Sequence, residues 1–184
     1  MPISFETFER VALEDDGGHW ELACGRLRQK PPMTQEHNDA IEGLYAQLVP
    51  QLNRSLFRIR TESARLRISL AATYQPDLFV LPNRYRRVRT EPGESGLETY
   101  VEPMPLVVEV WSSSTGSYDV MTKFPEYQQR GDQESWLIHP YERWLHAWRR
   151  HADGSYPETL FSGDDTVEAA ALPGVRIDLK RLFV

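Results

Sequence analysis

The sequence predicts an α/β or α+β domain in which helices cover a mixed β-sheet. Three observations carry this. The segments QPDLFVLP (75–82) and PLVVEVWSSST (105–115) are apolar on both faces apart from one carboxylate each, the pattern of strands in the middle of a covered sheet. Residues 35–49 place Ile41, Leu44 and Leu48 at helical spacing, which predicts an amphipathic helix. Strand and helix patterns then alternate to the end of the chain. A length of 184 residues suits one domain, 1–184, with a core of its own.

In chain order, residues 3–13 (ISFETFERVAL) predict a short helix with Phe5, Phe8 and Val11 or Ala12 on one face. HWELACGRLRQ predicts two strands joined by a turn at Cys24-Gly25. The prolines of KPPMTQEHND interrupt that pattern, Thr34 is placed to cap the next helix, and Pro50 ends it. Strands are expected at 56–62, 64–70 and 74–81; the first two alternate charged and apolar residues and so keep one wet face. Residues 82–104, rich in Arg, Glu, Gly and Pro, predict a long loop, and 105–111 another buried strand. YDVMTKFPEYQQRG is helical by composition and closes at Gly131. Pro125 confines its regular part to a start near Thr122–Phe124, since a missing N–H is tolerated only in a first turn. ESWLIHP predicts a strand, RWLHAWRRHADGSYPETLF a C-terminal β-hairpin turning at Asp153-Gly154, and TVEAAALPGVRIDLKRLFV short strands with a final helical turn.

Composition narrows the function classes. No apolar run approaches the roughly 20 residues of a membrane span, and MPISFETFERVALEDD lacks a basic-then-apolar export pattern. The single cysteine, Cys24, excludes an internal disulfide and a Cys-rich zinc site. A cytoplasmic protein is the expectation. A net charge of -6 argues against non-specific coating of nucleic acid. FRIRTESARLR and NRYRRVRT nevertheless gather positive charge close in sequence to Asp77. They read either as solvated edges and loop, or as a phosphate-steering, DNA-binding rim made by Arg84, Arg86, Arg87 and Arg89.

The two carboxylates inside apolar strands, Asp77 and Glu109, carry the chemistry. A lone buried carboxylate is costly or shifts its pKa, and two together repel. A divalent cation removes both problems and turns the acids into ligands; the other reading is acids that point outward at strand ends or pair with arginines. Lys123 lies where a helix starts, with Asp119 and Tyr127 four residues to either side and so on its face. Beside a carboxylate–metal centre such a lysine orients or helps deprotonate an attacking water and offsets phosphate charge. Alone, it would be a surface lysine.

A Pro-Asp strand, a valine-flanked Glu and then a lysine resemble the PD-(D/E)XK nuclease superfamily. Trp111 holds the place two residues after the second acid where the lysine usually lies. The sequence therefore resembles the branch that moves the lysine to the following helix, the Uma-two family of endonucleases with the restriction-endonuclease-like fold. The resemblance covers nearly the whole chain: HWELACGRL, PPMTQEH, PDLFVL, LVVEVWSSST, YDVMTKFPEYQQRG, SWLIHP and LPGVRIDLKRLF match family segments in order. It implies a mixed sheet flanked by helices and a metal-dependent endonuclease that hydrolyses DNA. Asp77 and Glu109 would hold Mg²⁺ (or Mn²⁺), Lys123 would position the water, and His37 and Asp119 would be accessory. The alternative on the same fold is a nucleic-acid-binding or assembly module without turnover. Arg26 stands where the family often has a glutamate of the acidic cluster, His139 replaces an aspartate, and Pro125 interrupts the lysine's helix; these departures bear on turnover, not on fold.

His37 by itself reads as a capping or surface residue. Ser112-Ser113-Ser114-Thr115 lacks the Gly-x-Ser-x-Gly turn of a serine hydrolase and reads as a strand-to-helix turn with Thr115 or Ser117 as cap. Trp136, Trp144 and Trp148 fall on expected strands, as core or as dimer interface. The aromatic surface of 143–161 exceeds what one sheet face needs and predicts a homodimer.

Overall fold

A computed structural model describes residues 2–15, 18–88 and 96–183. Its frame is a six-stranded sheet in the order β11-β10-β9-β8-β6-β3, made of β3 (Phe57–Thr61), β6 (Leu78–Pro82), β8 (Leu106–Val110), β9 (Glu134–His139), β10 (Trp144–Arg149) and β11 (Glu158–Ser162). β8 and β9 run parallel and the other neighbours antiparallel, so the sheet is mixed. The strands apolar on both faces, β6 and β8, are central, as their sequences require.

One face of this sheet receives α2 (Gln35–Leu48), which buries Ala40, Ile41, Leu44 and Leu48 against Val80, Val108, Val110 and Trp136. Each fully buried leucine contributes about 1.5–3 kcal/mol. The helix starts where Thr34 Oγ1 accepts the His37 N–H at 3.3 Å, the expected cap. The ribbon of β12 (Thr166–Glu168) and β13 (Arg176–Asp178), with α5 (Leu179–Leu182), completes this layer.

The opposite face, with Phe79, Val107 and Leu137, is covered by a second sheet and by α4 (Phe124–Arg130). The second sheet has the order β2-β1-β5-β4-β7: β1 (Trp20–Ala23), β2 (Arg26–Gln29), β4 (Arg65–Ser69), β5 (Ala72–Tyr74) and β7 (Thr99–Tyr100). α1 (Phe5–Glu14) packs Phe5 and Phe8 near Leu22 and Leu97 beneath it.

Four expectations change. Two principal sheets stand where the sequence suggested one. The strand expected at 74–81 is split into β5 and β6, because Pro76 has no N–H to donate to a ladder and the chain changes sheets there. Asp77 therefore lies in the crossing, just before β6. The loop at 82–104 contains β7, and its residues 89–95, Arg89 among them, lie outside the described residues. Asp153-Gly154 sits within a longer loop, 150–157, in which Tyr156 Oη donates to the Asp132 carbonyl at 2.7 Å.

The turn after β8 holds the last local surprise. Thr115 makes no side-chain cap to α3 (Gly116–Tyr118); Ser112 Oγ accepts the Thr115 N–H instead, at 3.2 Å. Gly116 is required there, since a Cβ would lie 2.0 Å from Trp111 Nε1. A π turn follows (Asp119–Lys123), closed by the Phe124 N–H on the Asp119 carbonyl. Pro125 has no N–H for the Met121 carbonyl, and its ring would crowd that carbonyl, so the wider turn is the natural accommodation.

Candidate active site

The crossing between the sheets brings Asp77 beside Glu109. Glu109 alternates with Val108 and Val110, so its side chain leaves β8 on the face covered by the second sheet. Both acids are buried, Asp77 at 2% and Glu109 at 1% exposure. The Asp77 carboxylate is held at both oxygens. Oδ1 accepts from Lys30 Nζ at 2.6 Å, while Oδ2 accepts the Val110 N–H at 2.7 Å and lies 3.1 Å from His37 Nε2. Burial works against its charge, but Lys30 and then His37 outweigh burial and hold the carboxyl well below the usual range.

Lys123 points inward from the π turn. Its ammonium lies 2.9 Å from Glu21 Oε1, 3.2 Å from Glu109 Oε1 and 3.2 Å from Asp119 Oδ1. Burial opposes the charge, yet Asp119, Glu109 and Glu21 together raise the lysine well above its ordinary pKa, so it is a fixed cation. Tyr127 Oη donates to the same Glu109 Oε1 at 2.7 Å. Burial pushes Glu109 up to about 8; the pull of Lys123 is outweighed by burial with the Asp119 and Asp77 charges. Burial likewise raises Asp119, with Asp77 and Glu21 adding to it. Tyr74 and Tyr118 wall this side, with ring centres 5.8 and 5.7 Å from Lys123 Nζ.

The structure thus gathers five of the residues singled out from sequence: Asp77, Glu109, Lys123, His37 and Asp119. It adds two, Glu21 from β1 and Lys30 just after β2. Arg26 is exposed on β2, and the acid of the opening hairpin is Glu21, whose Oε1 also accepts the Gln75 N–H at 3.0 Å. His139 lies away from the acids, stacked on Trp111 at 4.2 Å between ring centres. The arginines at 84, 86 and 87 do not join the cluster. Asp77 precedes the first residue of β6 and these follow its last, so roughly 16 Å of strand separates them. Arg86 donates to the Asn83 and Tyr85 carbonyls and Arg87 to the Gly96 carbonyl. Trp136 is core, and Trp148 packs on Phe124 with ring centres 4.7 Å apart. A cavity of about 610 Å³, lined by His19, Lys30, Met33, Asn38 and Glu62 among others, opens onto the Lys30 side of the cluster.

Comparison with known proteins agrees with this arrangement of elements. Residues 5–180 match the Uma2 family, described as "Putative restriction endonuclease". The chain belongs to the Uma2 family. A solved structure, titled as that of a putative nuclease belonging to DUF820 from Anabaena variabilis, superposes with a TM-score of 0.77 at 19% identity, over 99% of this chain and 98% of that one. The shared fold is the mixed α+β one expected from the sequence. Comparison with curated proteins gave no match. The family membership makes this chain a nuclease-family protein. Among the described residues no helix is long and apolar enough to cross a membrane.

Buried carboxylate oxygens are donors of the kind a divalent cation takes, but the side chains are not converged on one point. Among the described residues no three His, Cys, Asp or Glu side chains converge as a metal site; the two lysines stand between the acids. Four buried carboxylates face two ammonium groups and, on the Glu21 side, the Arg28 guanidinium, which leaves more acids than cations in the cluster. Glu21 Oε2 is buried without a hydrogen-bond donor, its nearest cation being the Arg28 guanidinium at 3.7 Å. Excess negative charge and an acceptor without a donor are what a small divalent cation relieves.

Proposed function

We propose that the protein is a metal-dependent endonuclease that hydrolyses DNA phosphodiester bonds. The observation that carries this is the buried cluster itself, four carboxylates with two lysines between two sheets, in a chain of a nuclease family. Asp77 and Glu109 would hold Mg²⁺ or Mn²⁺, which when bound supplies Lewis-acid stabilisation of charge growing on the phosphate. Val110 N–H and His37 fix the Asp77 carboxylate plane, and Tyr127 fixes Glu109, so both acids are oriented before the cation arrives. Lys123, held cationic by three acids, would have to give up one of them to donate to a water or a phosphate oxygen, and as a cation it cannot take a proton from the water. Its role is orientation and charge stabilisation.

A second reading is favoured by one observation. Both oxygens of Asp77 are already occupied, Oδ1 by Lys30, as in a DNA-binding or assembly module without turnover. Incubation of supercoiled plasmid with the protein and Mg²⁺ separates the two. Nicking or linearisation that is lost in Glu109→Gln supports the enzyme; no cleavage with Mg²⁺ or Mn²⁺, in a protein that still binds DNA, supports the module.

A further inference from the structure

Lys30 has no part in the chemistry above, yet it occupies a decisive place. Its side chain is 4% exposed, and among the described residues its ammonium bonds only Asp77 Oδ1, at 2.6 Å, and the Gln75 carbonyl, at 3.0 Å. Asp77 Oδ2 is committed to the Val110 N–H and His37. Oδ1 is therefore the oxygen through which Asp77 would meet a cation, and Lys30 sits on it. The two lysines are held very differently. Lys123 is clasped by three acids from the β1, β8 and π-turn segments. Lys30 is anchored by one acid and one carbonyl, and it lines the cavity of about 610 Å³, where Asn38 and Glu62 also lie. A displaced Lys30 ammonium has space and a counter-charge in that cavity.

We propose that Lys30 is a built-in counter-ion for Asp77, a positioning residue that is exchanged for the divalent cation when the site loads. The proposal rests on the metal-site reading of Asp77 and Glu109. In the metal-free protein the ammonium neutralises a carboxylate that is otherwise buried with only the Val110 N–H and the His37 ring beside it. On loading, the cation takes that function and the lysine turns to the cavity. Lys30 thus protects the fold at the expense of metal affinity, because an ammonium beside the acids opposes an incoming cation.

The test is calorimetric titration of MnCl₂ into the parent protein, Lys30→Met and Glu109→Gln, with thermal unfolding of each in EDTA and in excess Mn²⁺. Lys30→Met is expected to bind Mn²⁺ at least tenfold more tightly than the parent. It should unfold at lower temperature in EDTA, and Mn²⁺ should raise its midpoint by more than it raises the parent's. A merely structural lysine would lower stability and leave Mn²⁺ affinity equal or weaker, which would overturn the exchange. Parent binding that disappears in Glu109→Gln would then still uphold the metal site. Binding by neither the parent nor Lys30→Met would overturn both. Should Lys30→Met fail to fold without metal, folding restored by Mn²⁺ supports the exchange. Failure to restore it, together with unchanged Mn²⁺ affinity in the milder Lys30→Gln, overturns it.

Discussion

Replacing Asp77 by Asn and Glu109 by Gln should separate two acids that look alike in the sequence. Repulsion between buried carboxylates alone would make both changes neutral or stabilising. The hydrogen bonds say otherwise for Asp77. Its two oxygens both accept, from Lys30 on one side and from Val110 N–H on the other. An amide has one acceptor, so either flip sets its NH₂ against a donor and leaves Lys30 without a charge partner. Breaking a buried ion pair in this way costs about 3–5 kcal/mol. With a urea slope of about 2–3 kcal/mol/M, the midpoint in EDTA at pH 7 falls by roughly 1–2.5 M. Glu109 differs because Lys123 and Tyr127 both bond to Oε1; a glutamine carbonyl at that place keeps both, and the change stays within about 1 kcal/mol. The pH dependence follows in sign. Glu109 is raised from 4.5 to about 8 in the folded state, so its stabilisation is full below about pH 4.5 and is lost as pH rises through about 8. Glu109→Gln should flatten that part of the loss between pH 6 and 8.5. Equal drops in midpoint for the two variants, or the larger drop for Glu109→Gln, would refute the pairing argument.

Lys123→Met should reduce plasmid cleavage at least a hundredfold while DNA binding in Ca²⁺, measured by fluorescence anisotropy, stays within a few-fold; cleavage at the parent rate would remove the lysine from the mechanism. Changing Arg84, Arg86 and Arg87 to alanine should lower the salt slope of DNA binding by up to about 0.9 per lost phosphate contact. Because these residues lie at the far end of β6, the single-turnover rate on saturating DNA should not change; an unaltered slope would mark the loop as solvated surface. β11 ends the larger sheet and exposes Leu160 at 56%, which together with the aromatic hairpin leads to the expectation of a homodimer; light scattering that gives a monomer at micromolar concentration would refute it.

Much of the site was legible because charge inside an apolar strand is rare. That signal picked out Asp77 and Glu109, and spacing of four residues joined Asp119, Lys123 and Tyr127 to them. Glu21 carries the same signal, flanked by Trp20 and Leu22 and fully buried, but its strand is only four residues long, too short for the pattern to stand out. Lys30 carries no local signal: beside two prolines it reads as a loop lysine, and only the tertiary contact with Asp77 reveals it. The break at Pro76 was available from the missing N–H. The position of the arginine loop follows from direction along β6: an acid that begins a strand and a loop that ends it lie on opposite edges of the sheet. The six-stranded order depends on pairings distant in sequence, such as β8 with β9 across the whole lysine helix, and no local pattern encodes them.

The central claim, that Asp77 and Glu109 form one divalent metal site, is tested most directly by an anomalous difference map from crystals soaked in Mn²⁺. The account predicts one peak bonded to an oxygen of each acid at about 2.0–2.6 Å, with Lys30 moved off Asp77 Oδ1 into its cavity. A saturated soak in which Lys30 and Lys123 keep their places on the acids, with no peak between Asp77 and Glu109, would contradict it.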